Sequence, residues 1–292
     1  MGGVTHAVGA DGVGVLTLDL PQGLDALDPA TSGAVAAAID ALLGDAAVRG
    51  IVIHFPTASD PAAVADAGAL TAELRAVADA AARRKAALAR VSVLQAALRR
   101  LETGGKPAAA AIAASLRGGA FEVALACHRR VVADDAALRL GMPRVSETRI
   151  PSGGATQRLV RMAGAMAALK LLHGGSLTAS DAQAAKLVDE VVPGDAVLAR
   201  ATAWVQAAGA EAAVRPWDTK TFRLPGADPR THHGGGQFAV ANALQRKATG
   251  GRSAAADAVQ QLAYQACLVP MDVGLRLESK YAARLLIDAA AH

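Results

Sequence analysis

Arg117-Gly118-Gly119-Ala120-Phe121-Glu122-Val123-Ala124-Leu125-Ala126-Cys127-His128 places a carboxylate just after a glycine pair, at the start of an otherwise apolar helix. Glycines reach backbone conformations closed to other residues, so such a turn can aim N–H groups at a developing anion while the carboxylate handles a proton. A carboxylate in a first helical turn is also stabilised simply by the helix dipole, at about 0.3–1 kcal/mol, with no chemistry attached. Ala108 to Ala113 reads as a strand leading into the turn, while Arg130-Val131-Val132-Ala133 and Ala137-Leu138-Arg139-Leu140 read as two short strands leading away.

Working outward, strand and helix signals alternate. Val13 to Leu20 partly alternates as a strand, Ser32 to Leu43 has helical spacing, and Gly50 to Phe55 is a short buried strand. Pro56 to Asp66 reads as a loop. Gly68 to Glu102 is one long Ala/Arg-rich helical stretch whose arginines form a solvated face, ending at Thr103-Gly104-Gly105-Lys106-Pro107. Ile150-Pro151-Ser152-Gly153-Gly154-Ala155-Thr156-Gln157-Arg158-Leu159 is a second glycine turn before a helix. A helix from Ala179 to Lys186 precedes the strand Val188 to Pro193. Few hairpin signals separate these elements, so an α/β fold with parallel pairing and outer helices is expected. Beyond Ala210 the texture changes: a loop from Pro225 to Gly236 precedes helices at Phe238 to Arg246 and Ala254 to Leu286. The organisation expected is a core over 1–209 and an all-helical appendage over 210–292.

Composition narrows the function classes. Of 292 residues, 52% are hydrophobic but only 3% aromatic, which favours close-packed helices with small side chains. No apolar run reaches the roughly 18–20 uncharged residues that span a bilayer, and no signal pattern opens the chain, so no membrane span is expected. The formal charge of +4 is dispersed, which suits phosphorylated small molecules as well as nucleic acid and does not indicate the latter. Cys127 and Cys267 are too few for a disulfide framework and read as packed thiols in a reducing, cytoplasmic setting. His232 and His233 read as a solvent-exposed loop pair, and no metal site is expected.

The run from Lys106-Pro107 to Cys127 resembles the crotonase (enoyl-CoA hydratase/isomerase) superfamily, with its Lys-Pro, apolar strand, glycine turn and Glu-Leu-Ala-Leu-Ala-Cys. Leu24-Asp25-Ala26-Leu27 is similar to the family's Asn-Ala-Leu segment, the turn at 150–159 to its Pro-Gly-x-Gly-Gly-Thr-Gln-Arg-Leu, and Lys186 to Pro193 to its Gly-Leu-Val-Asp-x-Val-Val-Pro. In the tail, Arg215-Pro216-Trp217-Asp218-Thr219-Lys220, Ala241 to Lys247 and Leu275 to Tyr281 resemble the segment after the hydratase half of multifunctional fatty-acid β-oxidation proteins. A dehydrogenase half follows in those proteins. No strand followed by Gly-x-Gly-x-x-Gly occurs in these 292 residues, so NAD-dependent oxidation is not expected of them.

The resemblance implies a crotonase-type spiral of β-β-α units with a C-terminal helical segment, assembling as a homotrimer or hexamer. It also implies an acyl-CoA thioester as substrate, with coenzyme A entering as part of that substrate and no separate cofactor. The thioester oxygen would lie between the N–H groups of Gly119 and Ala65, with Ala26, Ala63, Asp66 and Gly118 lining the substrate. Val64 stands where the family carries glycine in the Ala65 loop. Glu122 matches the acid that activates water for addition at the β-carbon. The second family acid is replaced by Arg144, whose guanidinium keeps its charge and does not serve as a general acid. An inward Arg144 would hold Glu122 ionised. Glu122 alone, Glu147 or an anion bound by Arg144 are three ways round the missing acid, and Ser152 is a further candidate by its position. Hydration/dehydration or isomerisation of an enoyl-CoA is the leading expectation. The alternatives are thioester hydrolysis, decarboxylation or carbon–carbon cleavage on the same fold, or a non-catalytic CoA-ester-binding subunit.

Overall fold

In a computed structural model of the chain, the residues described are 3–59, 68–146 and 148–291. In chain order the elements are β1 (Val4–Val8), β2 (Val13–Leu18), α1 (Pro29–Gly44), β3 (Gly50–Phe55), α2 (Gly68–Ala76), α3 (Ala80–Thr103), β4 (Ala108–Ile112), β5 (Leu116–Arg117), α4 (Gly119–Ala126) and β6 (Arg129–Ala133). There follow β7 (Leu140–Gly141), α5 (Ala155–Ala163), α6 (Ala165–Leu172), β8 (Ser176–Leu177), α7 (Ala179–Ala184), β9 (Glu190–Val192), α8 (Val197–Ala207), α9 (His232–Thr249), α10 (Ala254–Ala266) and α11 (Met271–Ala290).

The larger sheet has the order β1-β2-β3-β4-β6-β9 and is parallel throughout except for the β1–β2 hairpin. A small second sheet joins β5, β7 and β8. Successive repeats therefore send one strand to the large sheet and the next to the small one before a helix returns, as β4-β5-α4 and then β6-β7-α5 do. This is the crotonase-type spiral of β-β-α units. Strand β4, Ala-Ala-Ala-Ala-Ile, is buried at every position, and α8 packs across β3, β4 and β6. Small side chains there let helix and sheet approach closely.

Four expectations change in detail. The stretch 68–102 is broken into α2 and α3 at Asp79, whose carboxylate caps α3 by accepting from the Ala82 N–H at 2.5 Å. The α3 arginines are also tethered rather than merely solvated: Arg90 pairs with Glu73, Arg100 with Asp40, and Arg99 with Asp218 and Asp272. The tail helix splits at Pro270 into α10 and α11, because proline removes a helical donor and clashes with the preceding turn. His232 and His233 belong not to a loop but to the first turn of α9, where Thr231 accepts from the Gly234 N–H at 3.1 Å. Helix α11 packs on α2, α3, α5 and α10, so the C-terminal helices lie directly against the layer that carries the glycine turns.

Candidate active site

Gly118 begins the site with φ 62° and ψ −135°, a conformation that strongly favours glycine. Its N–H donates to Gly141 O at 3.2 Å, fastening the turn to β7. Gly119 is the first residue of α4, so its N–H has no partner within the helix and is available to a ligand. A Cβ at 119 would collide with the Leu24 carbonyl and side chain, so the Leu24-Asp25-Ala26 segment passes directly beside the turn. Asp25 holds that segment by accepting from the Leu27 N–H at 2.9 Å and pairing with Arg149.

Glu122 follows one turn later, its N–H donating to Gly118 O at 3.0 Å. Its side chain is buried, at 2% exposure, and faces the second glycine turn, where Oε2 accepts from the Ala155 N–H at 3.0 Å. Gly153 leaves the room for this: a Cβ there would lie 2.7 Å from Oε2 and 2.9 Å from Cδ. Burial, with the negative charge of Glu278 behind it, pushes the Glu122 carboxyl up to about 8 despite that donor and the Arg158 charge.

A cavity of about 100 Å³ opens onto Glu122, lined by Ala26, Gly118, Gly119, Arg144, Ser152 and neighbouring residues. The structure thus brings Glu122, Gly118, Gly119 and Ala26 together, with Ser152 buried in the same wall. Ala63, Ala65, Asp66 and Glu147 lie outside the described residues. Arg144 stands exposed at the mouth, against Gly174, where the cavity meets a groove of about 1420 Å³ between α6, α9 and α10. The condition under which it would hold Glu122 ionised is not met. The Glu122 carboxyl is raised rather than lowered, and Glu278 and Arg158 are the charges that bear on it most.

Glu278 on α11 is the residue that sequence reasoning passed over. Fully buried, it accepts from Gly154 N–H at 2.7 Å, Thr156 N–H at 3.1 Å, Gln95 Nε2 at 2.9 Å and the Thr156 hydroxyl. A signal for it does exist in the sequence. It lies three residues after Leu275 and four before Ala282, on the buried stripe of α11. Beside it Arg158 grips Glu102 through Nε at 2.8 Å and Nη2 at 3.1 Å and donates to Gly153 O. His128 accepts from Ala108 N–H at 3.0 Å and donates to Glu102 O at 3.2 Å; burial lowers it to about 4, so it is a neutral structural imidazole. Cys127 is buried and pushed up to about 12, an inert thiol. No cluster of three or more metal-ligating side chains occurs among the described residues, and no described helix is long and apolar enough to cross a membrane.

The profile of the enoyl-CoA hydratase/isomerase family matches residues 9–215, the stretch that holds both glycine turns and Glu122. The chain belongs to the enoyl-CoA hydratase/isomerase family. Among its relatives, the fatty acid oxidation complex subunit alpha of Shewanella loihica is 34% identical over 208 residues, spanning 70% of this chain and 28% of that subunit. The subunit of the same name from Idiomarina loihiensis is 36% identical over 191 residues, 65% of this chain and 26% of its own length. The chain thus corresponds to little more than a quarter of those relatives. In fold it is similar to the enoyl-CoA hydratase of Bacillus anthracis, with TM-score 0.54 and 22% identity over 70% of this chain and 75% of that one. An enoyl-CoA hydratase structure from Geobacillus kaustophilus gives TM-score 0.57 at 20% identity, covering 96% of this family member and 87% of its own chain.

Proposed function

We propose that this family member acts on an acyl-CoA thioester through an oxyanion-stabilised enolate, with hydration/dehydration of an enoyl-CoA as its reaction and double-bond isomerisation as the closest variant. The observation that carries the reading is the common origin of Gly119 and Glu122. A helix start with an unpartnered N–H and a buried carboxyl one turn later face one small cavity. The thioester oxygen sits on the Gly119 N–H, with the Ala65 N–H as second donor by family resemblance, and each such donor contributes roughly 3–4 kcal/mol to the transition state.

With Arg144 unable to supply a proton, Glu122 works alone. As the water oxygen bonds to the β-carbon its proton passes to Glu122, the double-bond electrons move onto the thioester oxygen, and Glu122 then returns that proton to the α-carbon. Run in reverse, Glu122 removes the α-proton and gives it to the departing hydroxyl. The carboxylate starts and ends ionised in both directions. A carboxyl raised to about 8 is a stronger base toward an acidic carbon than an ordinary glutamate, which suits this double duty. Coenzyme A enters only as part of the substrate; a cytoplasmic homotrimer or hexamer is the assembly proposed with it.

Loss of enoyl-CoA absorbance, followed on a panel of acyl chains, tests the reading. Activity is expected to rise with pH through about 8 and to fall at least a thousandfold in Glu122→Gln. Turnover unchanged in that variant would remove Glu122 from the mechanism. Arg144 at the exposed junction of cavity and groove favours a second reading, in which it binds an acyl chain ending in a carboxylate. A carboxylated acyl-CoA preferred tenfold or more, with the preference lost in Arg144→Ala, would establish it.

A further inference from the structure

The first peptide groups of α5 are divided between two carboxylates from opposite parts of the chain. Ala155 serves Glu122 on α4, while Gly154 and Thr156 on either side of it serve Glu278 on α11. This alternation holds the two acids side by side at one helix N-terminus in a fully buried setting. One helix end carries only about half a positive charge, which is too little to hold two anions away from water. We propose that Glu278 is a positioning residue that governs whether Glu122 carries its proton, so that the C-terminal helix sets the basicity of the active-site carboxylate. The proposal rests on the single-carboxylate reading above and deepens it.

The donors decide which acid holds the charge. Glu278 receives four hydrogen bonds, from two backbone N–H groups, the Thr156 hydroxyl and Gln95 Nε2. Glu122 receives one, from the Ala155 backbone N–H. Burial raises the Glu278 carboxyl as well, but with more donors it takes the charge first, and the proton resides on Glu122 until the pH is high enough to ionise the pair. The other charges around Glu122 are tied up elsewhere. Arg158 on α5 is neutralised by Glu102 on α3, Arg99 on α3 binds Asp218 and Asp272, and Arg117 on β5 donates to Met142 O. Across the cavity Arg149 pairs with Asp25, and Arg144 is exposed at the mouth.

Carboxyl carbon NMR of uniformly labelled protein, with Glu122 assigned by its absence in Glu122→Gln, reads the titration without any turnover. In Glu278→Gln the Glu122 midpoint is expected to fall by at least one pH unit, and the rising limb of kcat/KM against pH to move down with it. Glu278→Asp should restore part of the upward displacement. Thr156→Val, which keeps Glu278 but removes its hydroxyl donor, moves the shared proton toward Glu278 and lowers the Glu122 midpoint by a smaller amount. A Glu122 midpoint that stays put or rises in folded Glu278→Gln overturns the proposal; should that variant not fold, an unmoved midpoint in Thr156→Val does so. A midpoint that falls in a protein inactive on every enoyl-CoA tried supports the coupling while sinking the hydratase reading, so the two failures are distinct.

Discussion

Replacing Glu122 by glutamine should remove activity and, above about pH 5, stabilise the protein by an amount that grows with pH in a way the structure sets. The carboxyl is fully buried, and its ordinary value of 4.5 is raised to about 8 by burial and by Glu278. In the unfolded chain it releases its proton above 4.5, whereas the folded chain keeps it to about 8. Between those values the unfolded state binds fewer protons, so stability falls as pH rises. Each pH unit is worth about 1.4 kcal/mol, which gives a ceiling of about 5 kcal/mol for this one group. Glutamine does not titrate, so it escapes the loss. It does carry an amide NH₂ where Glu122 accepts a backbone bond, and a mismatched bond of this kind costs about 1 kcal/mol. The difference in unfolding free energy, variant minus wild type, should be close to zero at pH 5, where the wild type has already lost about 0.8 kcal/mol. It should climb to about +2 to +4 kcal/mol at pH 8.5 and flatten above. Urea denaturation at matched ionic strength measures it, and taking a difference cancels groups that titrate alike in both proteins. A difference that is flat across that range, or that falls with pH, would refute a raised Glu122.

Gly153→Ala places a Cβ 2.7 Å from Glu122 Oε2, so the carboxylate must shift. A displacement near 1 Å costs about a hundredfold, and kcat/KM is expected to drop by that much while circular dichroism stays native. Glu102→Gln leaves the buried Arg158 guanidinium without its charged partner and should destabilise the fold by about 3–5 kcal/mol, read as a lower denaturation midpoint. Arg144→Ala, at an exposed position, should change stability by less than about 0.5 kcal/mol, so any change in activity reports on substrate.

Much of the fold was legible because its signals are local. The Lys106 to Cys127 run, the glycines at 118–119 and 153–154, and the strand–helix alternation each arise from a few consecutive residues. Those residues fix the local backbone whatever lies around them. The break at Asp79 was less legible: alanine and arginine favour helix on both sides, and what marks it is a side-chain cap at the start of α3 rather than a breaker residue. The helical start of α9 was hidden for the opposite reason, since Gly234-Gly235-Gly236 disfavours helix and only the Thr231 cap and packing against α6 and α10 overrule it.

The sequence by itself determined that Glu122 follows the Gly118-Gly119 pair, and that an arginine, Arg144, rather than a carboxylate ends the run Leu140-Gly141-Met142-Pro143-Arg144. Both follow from order along the chain. Only the tertiary structure decided what surrounds that carboxylate. Arg144 stands at the mouth, while Glu278 arrives from α11 to share the α5 N-terminus with Glu122. The physical reason is that a carboxyl's proton affinity depends on burial and on charges a few ångströms away, and the packing of α11 against α5 brings together residues from opposite ends of the sequence.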